Sequence, residues 1–172
     1  MNKQDLINRR TPQETTAAQP ISRGLHIVIA EFIFKGDKVL LIHHKKLNLW
    51  LPVGGHIEQN ETPDAAVLRE AREEIGLEVE IIQTDPTPQC GQMKEKLCVP
   101  FHVSVHSVGD HDHCCLNYVC KVKSENIEHM NKDELNNFKW FTKDDLNQAN
   151  ISPGVKAEAL TAFKVYEKAN QQ

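Results

Sequence analysis

Three glutamates lie close together in a segment that the sequence predicts to be one helix. Glu70, Glu73 and Glu74 stand at positions i, i+3 and i+4, and a helix turns by about 100° per residue, so their side chains share one exposed side. Arg69 can pair with part of this set, but one cation does not neutralise three anions. Carboxylates without neighbouring thiolates or imidazoles favour Mg²⁺ or Mn²⁺ over zinc. Mg²⁺ held by few carboxylates accepts phosphate oxygens, which indicates a phosphorylated small-molecule substrate.

The same glutamates are also typical of a solvated acidic surface, on which Arg69 and Arg72 form ordinary ion pairs. The surrounding sequence favours the metal site. Residues 55–77 fit the pattern Gly-x5-Glu-x7-Arg-Glu-U-x-Glu-Glu-x-Gly-U, where U is apolar, at every fixed position. At average residue frequencies such a match arises by chance on the order of once in ten million chains.

This pattern is the signature of the Nudix hydrolases, and the chain resembles that family over most of residues 24–169. The resemblance implies an α/β fold of the Nudix type, an α/β/α sandwich whose mixed sheet lies between helices. It implies that the signature forms a loop-helix-loop holding a divalent metal. It also implies hydrolysis of a nucleoside diphosphate linked to another group, such as a nucleotide or sugar nucleotide, by attack of water on phosphorus.

The resemblance assigns roles to single residues of the signature. It implies metal ligands at four positions, namely the carbonyl of Gly54 and the carboxylates of Glu70, Glu73 and Glu74. Arg69 would orient the glutamates through ion pairs, and Glu61 would fix the loop against the helix. Two positions depart from the usual pattern, because Val53 separates Pro52 from the glycines and Ala71 replaces a larger aliphatic residue.

Hydrolysis also needs a general base that takes the proton of the attacking water. The candidates are Glu70 and Glu73 in the signature, and Glu134 in the loop before Trp140. Glu134 can equally be a plain turn residue.

Residues outside the signature could contact the substrate. His43, His44 and Lys45 stand at the end of a predicted strand, where they could meet phosphates or a nucleobase, or could simply be solvated. Trp50 could stack on a base, although a tryptophan more often packs inside the protein.

The segment from His111 to Cys115 combines imidazoles and thiols, which are zinc ligands. Adjacent residues point in different directions, however, and no second Cys/His pair stands at a standard spacing. We therefore expect a loop entering a strand, with His111 and His113 lining the substrate pocket.

Two other functions remain open from the sequence. A non-catalytic nucleotide sensor could keep the fold, although sensors usually lose a signature glutamate and none is lost here. Isopentenyl-diphosphate isomerases resemble Nudix proteins and use a Cys and a Glu to move protons on a prenyl diphosphate. Their Cys-containing motif is not found in this sequence.

The composition limits the remaining possibilities. The 172 residues suffice for one domain, predicted at 23–172 after a polar mobile arm at 1–22. The net charge of −4 disfavours a protein that coats nucleic acid or an anionic membrane. No apolar run approaches a membrane span, and five cysteines favour the reducing cytoplasm over a disulfide framework. The chain could form a homodimer.

The predicted elements are those that must position the glutamates. Strands are expected at 27–34, 39–42, 77–83, 97–105, 116–122 and 138–141. Thr62 caps the signature helix, Pro63 opens it and Gly76 ends it. Ser152 and Pro153 open a closing helix. Alternation within 97–105 predicts a strand with one apolar face, most of it in the core, formed by Leu97, Val99, Phe101, Val103 and Val105.

Overall fold

The computed structural model of the protein describes residues 24–123, 127, 129–148 and 151–171. The predicted arm at 1–22 lies outside the described residues. The described elements follow in chain order: β1 (Leu25–Lys35), β2 (Lys38–His44), β3 (Leu49–Leu51), α1 (Pro63–Ile75), β4 (Val79–Ile81), β5 (His102–Ser107), β6 (Asp112–Val122), β7 (Leu135–Phe141), α2 (Lys143–Gln148) and α3 (Pro153–Ala169).

The strands form one mixed sheet, with β1 at its centre. The order is β3-β2-β1-β6-β4, while β7 pairs with β2 and β5 pairs with β6. Only β1 and β6 run parallel among the described pairs, and the other pairs are antiparallel. Helix α1 packs on one face and α3 on the other, so the predicted α/β sandwich is confirmed.

Alternation along β1 separates the two halves of the core. Ile29 and Ile33 pack with Ala71 and Ile75 of α1, whereas Phe32 and its neighbour Phe34 pack with residues of α3. Successive strand residues point to opposite faces, so the odd-numbered residues of β1 face α1 and the even-numbered residues face α3. This rule decides where the candidate functional residues lie.

Helix α1 begins and ends where the sequence predicts. The Thr62 hydroxyl accepts a hydrogen bond of 3.3 Å from the backbone N–H of Ala65, and Pro63 occupies the first turn. Gly76 adopts φ 61° and ψ 31°, a left-handed conformation, and its N–H donates to the carbonyl of Arg72 at 3.0 Å. Only glycine takes this conformation without steric cost.

Helix α2 is absent from the sequence prediction, although its beginning carries a readable signal. The Thr142 hydroxyl accepts from the Asp145 N–H at 3.1 Å, and the Asp145 carboxylate accepts from the Thr142 N–H at 2.9 Å. This reciprocal arrangement is a capping box. The helix has only six residues, too few for a hydrophobic period to show.

The prediction for 97–105 is wrong in two respects. Strand β5 begins at His102, and the valines expected in the core are exposed, Val103 by 51% and Val105 by 54%. The reason is that, among the described strands, β5 pairs with β6 alone, while α1 packs against β1 and β4. An apolar exposed face of this kind is common where proteins associate, and the homodimer stays a prediction.

Among the residues that the structure describes, no helix combines the length and the apolar character that a membrane crossing requires. All five cysteines lie in the described part of the chain, and none is bonded to another.

We expect Gly76→Ala to lower the free energy of unfolding by about 1 kcal/mol, because an L-residue at this left-handed position is strained. Urea denaturation followed by circular dichroism measures this change. Gly154→Ala is the matched control, since a Cβ there meets no heavy atom of the described residues within 4 Å. Equal effects of the two substitutions would contradict the assigned role of Gly76.

Candidate functional site

The signature loop, residues 53–62, lies along β1 before it enters α1. The N–H of Ile29 donates to the carbonyl of Gly55 at 2.9 Å, and the N–H of Glu31 donates to the carbonyl of Val53 at 2.8 Å. A Cβ on Gly55 would come within 2.2 Å of Oε1 of Glu70. The close approach of loop and helix therefore requires a residue without a side chain at position 55.

Gly54 is held even more tightly. It has φ 152°, and a Cβ there would lie 2.2 Å from the carbonyl oxygen of Ile29. Its N–H donates to Oε2 of Glu74 at 3.1 Å. The inserted Val53 is fully buried in the core beside α1, so this departure from the usual pattern is absorbed by packing.

Arg69 joins the loop to the helix through four groups. Its guanidinium donates to both oxygens of Glu61 at 2.9 and 3.0 Å, to Oε1 of Glu70 at 2.8 Å and to Oε2 of Glu73 at 3.0 Å. It also donates to the carbonyl of His56 at 2.9 Å. The Glu61 carboxylate raises the pKa of Arg69, and Arg69 in turn lowers the pKa of Glu61. The sequence-predicted ion pairs are therefore present.

The sequence predicted that the three signature glutamates share one exposed side of α1. The structure shows that they do not. Glu73 has 59% of its side chain exposed, but that of Glu70 is 13% exposed and Glu74 as a whole is 4% exposed. The expectation is wrong because the signature loop covers α1 on this side, with Gly55 against Glu70 and Gly54 against Glu74. Helical spacing alone does not reveal a covering loop.

A fourth carboxylate joins this group from the sheet. Glu31 is fully buried. It lies two residues from both Ile29 and Ile33 on β1, so it shares their face and points towards α1. No nitrogen or oxygen among the described residues donates a hydrogen bond to either of its carboxylate oxygens, and the neighbouring Cys120 thiol only partly opposes the rise of its pKa on burial. The sequence reasoning missed Glu31, although a single acid inside the apolar run 27–34 was a readable signal.

Burial and mutual repulsion raise the pKa values of these acids. Burial is the largest cause for Glu74, whose pKa rises to about 8, and the charges of Glu70 and Glu134 raise it further. Burial also raises the pKa of Glu70, against the lowering effect of Arg69. The pKa of Glu31 is raised well above its usual value by burial and by Glu74 and Glu70.

Glu134 lies in the loop before β7, close to Glu70 and Glu74. The N–H of Asn131 donates to the carbonyl of Glu74 at 2.7 Å, and the N–H of Lys45 donates to the carbonyl of Glu134 at 2.9 Å. These bonds tie the loop to the end of α1 and to the end of β2. The Glu134 carboxylate is exposed, yet it lies close enough to raise the pKa of both Glu70 and Glu74.

The donors in this acidic site, Glu31, Glu70, Glu74 and the nearby Glu73, are all carboxylates. Buried carboxylates without cationic partners are unstable as anions, so they take up protons or bind a cation. The unpartnered oxygens of Glu31 and the raised pKa of Glu74 fit a cation between loop and helix. A set of oxygen donors suits a hard divalent ion such as Mg²⁺ or Mn²⁺.

Two of the predicted substrate contacts, His43 and Trp50, pack against each other. His43 lies two residues after Leu41 on β2 and so shares its face, which is the face of α3. The ring of His43 contacts that of Trp50, with centroids 5.0 Å apart. Trp50 also packs edge-to-face on Phe141. These two side chains therefore lie on the face away from the acidic site.

His44 and Lys45 make local contacts. His44 Nδ1 accepts a hydrogen bond of 3.3 Å from the N–H of Leu47. The ammonium of Lys45 donates to the carbonyl of Lys132, in the loop that carries Glu134. Lys45 is thus hydrogen-bonded to the loop that brings Glu134 to the acidic site.

His111 and His113 lie together with two histidines that the sequence analysis did not single out, His26 and His56. Burial and the neighbouring imidazoles lower the pKa of His113 to about 4, and they lower the pKa of His56 as well. Cys114 and Cys115 are not members of this group. The sequence does not predict this group of four histidines, because its members come from three separate segments of the chain.

In metal-free protein, we expect the unfolding free energy of the wild type to fall relative to Glu74→Gln as pH rises from about 4.5 to about 8. The pKa of Glu74 is 4.5 in the unfolded chain and about 8 in the folded one. Between these values the folded state keeps a proton that the unfolded state has released, so stability falls with pH. Urea unfolding in the presence of a chelator measures the difference.

The charged groups that face Glu74, namely Glu31, Glu70 and Glu134, are the same in both proteins. Glu73→Gln serves as the control because its carboxylate is exposed, and its difference from wild type should vary little with pH. Parallel curves for the wild type and Glu74→Gln would show that Glu74 is not the buried acid described here.

Comparison with known proteins places these observations in a family context. The sequence profile of the NUDIX domain matches residues 24–163. A NUDIX-family hydrolase from Clostridium perfringens is 34% identical, with a TM-score of 0.71, over 82% of this chain and 97% of that chain. An Ap4A hydrolase from C. elegans is 15% identical, with a TM-score of 0.61, over 83% and 98% respectively, and shows the fold alone.

A curated relative carries a different activity in its name. The isopentenyl-diphosphate Delta-isomerase of Salmonella paratyphi B is 28% identical over 137 residues, which cover 74% of this chain and 67% of the isomerase.

Proposed function

The chain belongs to the Nudix family, and we propose that it is a hydrolase that uses Mg²⁺, or Mn²⁺ in its place, to cleave the diphosphate linkage of a nucleotide-like substrate. The observation that carries this proposal is the acidic site between β1 and α1. There Glu31, Glu70 and Glu74 are buried together and lack enough cationic partners. Such a site is costly for folding alone and suited to a hard cation with its phosphate ligand.

Glu70, Glu73, Glu74 and the carbonyl of Gly54 would hold the metal. Glu31 would add a fourth carboxyl group beneath them from β1. When bound, Mg²⁺ would offset the negative charge of the diphosphate oxygens and stabilise the charge that develops on the leaving phosphate.

Arg69 acts as a positioning residue in this proposal. It fixes Glu70 and Glu73 on one side and Glu61 on the other, so the carboxylates keep their places while substrate binds. Its hydrogen bond to the carbonyl of His56 holds the signature loop against α1. Loss of Arg69 would therefore loosen the loop and the ligands together.

Glu134 is the general base that the geometry favours. Its carboxylate is exposed to water, whereas Glu70 is largely buried and both Glu70 and Glu73 are paired with Arg69. In the reaction a water oxygen forms a bond to phosphorus, and Glu134 takes the proton. The bond from phosphorus to the bridging oxygen breaks, and the leaving phosphate departs with the electron pair.

We expect Glu134→Gln to lower kcat by at least about 100-fold with little change in KM, as for loss of a general base. Steady-state kinetics with the best substrate measures both constants. Asp133→Asn, an exposed acid in the same turn, is the matched control and should keep near-wild-type kcat. An unchanged kcat in Glu134→Gln would assign the base to another residue.

The function itself is tested by incubating the protein and Mg²⁺ with nucleoside triphosphates, sugar nucleotides, dinucleotides and isopentenyl diphosphate. We expect phosphate-bearing hydrolysis products from at least one nucleotide, detected by chromatography and phosphorus NMR. We expect Glu73→Gln to lower this turnover by about two orders of magnitude, without unfolding the protein because Glu73 is exposed.

Glu78→Gln is the control for that variant. Glu78 is also an exposed glutamate paired with an arginine, Arg72, but it lies beyond the end of α1. Its loss should leave turnover unchanged. Nucleotide binding without turnover would instead support a sensor.

The isomerase is the second candidate, and the curated relatives favour it. Its chemistry on the double bond of a prenyl diphosphate requires a thiol that exchanges protons. Burial raises the pKa of Cys98 and Cys115 to about 12, and that of Cys120 well above its usual value, which disfavours thiolates at three of the five cysteines. A shift of the double bond of isopentenyl diphosphate, seen by proton NMR, would overturn the hydrolase proposal in favour of this one.

A further inference from the structure

Four histidines from three separate segments meet at one end of the sheet. His26 lies on β1 and His56 in the signature loop, while His111 directly precedes β6 and His113 is its second residue. One ring nitrogen of each lies within 4.8 Å of those of the other three. We name this group the histidine cluster.

Backbone pairing holds the histidine cluster together. His26 is the register partner of His113 in the parallel pair of β1 and β6, and Val28 forms a bridge with His56. Backbone pairing of β1 with β6 and with the signature loop thus brings His26, His56 and His113 together, and His111 directly precedes β6. Two of them are exposed and two are half-buried, so an ion could enter from solvent.

The spacing of the ring nitrogens suits a shared metal ion. Nδ1 of His26 lies 3.2 Å from Nε2 of His56, and Nε2 of His111 lies 2.9 Å from Nε2 of His113. Imidazole nitrogens bound to one tetrahedral Zn²⁺ at about 2.0–2.1 Å lie roughly 3.3 Å apart. Small movements would therefore convert these contacts into ligand bonds.

A neighbouring carboxylate orients one of the rings. Nδ1 of His111 lies 2.7 Å from Oδ1 of Asp110, so its N–H donates to that carboxylate. Nε2 then keeps its lone pair and points to His113. A carboxylate that accepts from the far nitrogen of a histidine is the usual outer partner of a metal ligand.

We propose that the histidine cluster binds one divalent transition-metal ion of the zinc class, independently of the hard cation proposed for the acidic site. Imidazole nitrogens prefer zinc, copper and nickel, whereas carboxylates prefer magnesium and manganese. The two sites therefore select different ions. In this proposal His111 and His113 are metal ligands, in place of the substrate contacts that the sequence predicted.

The histidine cluster and the acidic site lie on opposite faces of the sheet. His26, like Val28 and Ala30, is an even-numbered residue of β1 and lies on the face of Phe32. Glu31 lies on the other face, towards α1. The two sites nevertheless share the signature loop, because the carbonyl of His56 accepts from Arg69. An ion in the cluster would tie this loop to β1 and β6 and stabilise the fold.

The test uses untagged full-length protein, stripped with a chelator and kept reduced, with excess Mg²⁺ present to fill the carboxylates. Zn²⁺ is titrated in competition with a chromophoric chelator. We expect one equivalent to bind with a Kd of about 1 μM or lower. The melting temperature should rise with Zn²⁺.

The variant His111→Asn/His113→Asn should weaken Zn²⁺ binding by about 100-fold or more and abolish the thermal shift. His56→Asn, a single change in an exposed loop residue, repeats the test with less risk to folding. His102→Asn is the matched control, since His102 lies on β5 outside the histidine cluster and approaches Glu158 instead. It should bind Zn²⁺ as the wild type does.

Absence of stoichiometric Zn²⁺ binding to the wild type would overturn the proposal, and so would equal binding by the wild type and the cluster variants. Glu73→Gln should keep full Zn²⁺ binding, because Glu73 belongs to the other site. The zinc proposal and the hydrolase proposal can therefore fail separately.

Discussion

The burial of carboxylates between β1 and α1 is the constraint on which the rest of the site depends. Glu31 from the sheet and Glu74 from the helix are almost completely enclosed, and Glu70 is largely so. Burial raises the pKa of all three, and repulsion from neighbouring carboxylates raises these pKa values further. A fold that keeps such a group needs protons or a cation there, and this need connects the structure to its chemistry.

The signature loop makes that burial possible. Backbone hydrogen bonds to Ile29 and Glu31 hold the loop on β1, and the absent side chains of Gly54 and Gly55 let it touch the helix. Arg69 then fastens loop and helix through Glu61, Glu70 and Glu73. Packing, ion pairs and glycine geometry therefore serve one purpose, which is to fix oxygen donors at one place.

Local signals explain which predictions the structure confirms. The cap at Thr62, the end of α1 at Gly76 and the strands at 27–34 and 39–42 depend on neighbours in the chain, so the sequence reveals them. The strand at 97–105 depends on what covers it. Alternation of Val103 with its neighbours shows two faces, but it does not say which face a helix covers.

The sequence by itself determined the signature helix, the mixed α/β character and the acidic residues suited to a hard cation, because these follow from residue type and short spacing. Only the tertiary structure decided that Glu74 is buried, that Glu31 joins it and that Glu134 lies nearby. It alone brought His26 and His56 to His111 and His113. The physical reason is that strand pairing and loop packing join residues far apart in the chain, and no local pattern records such contacts.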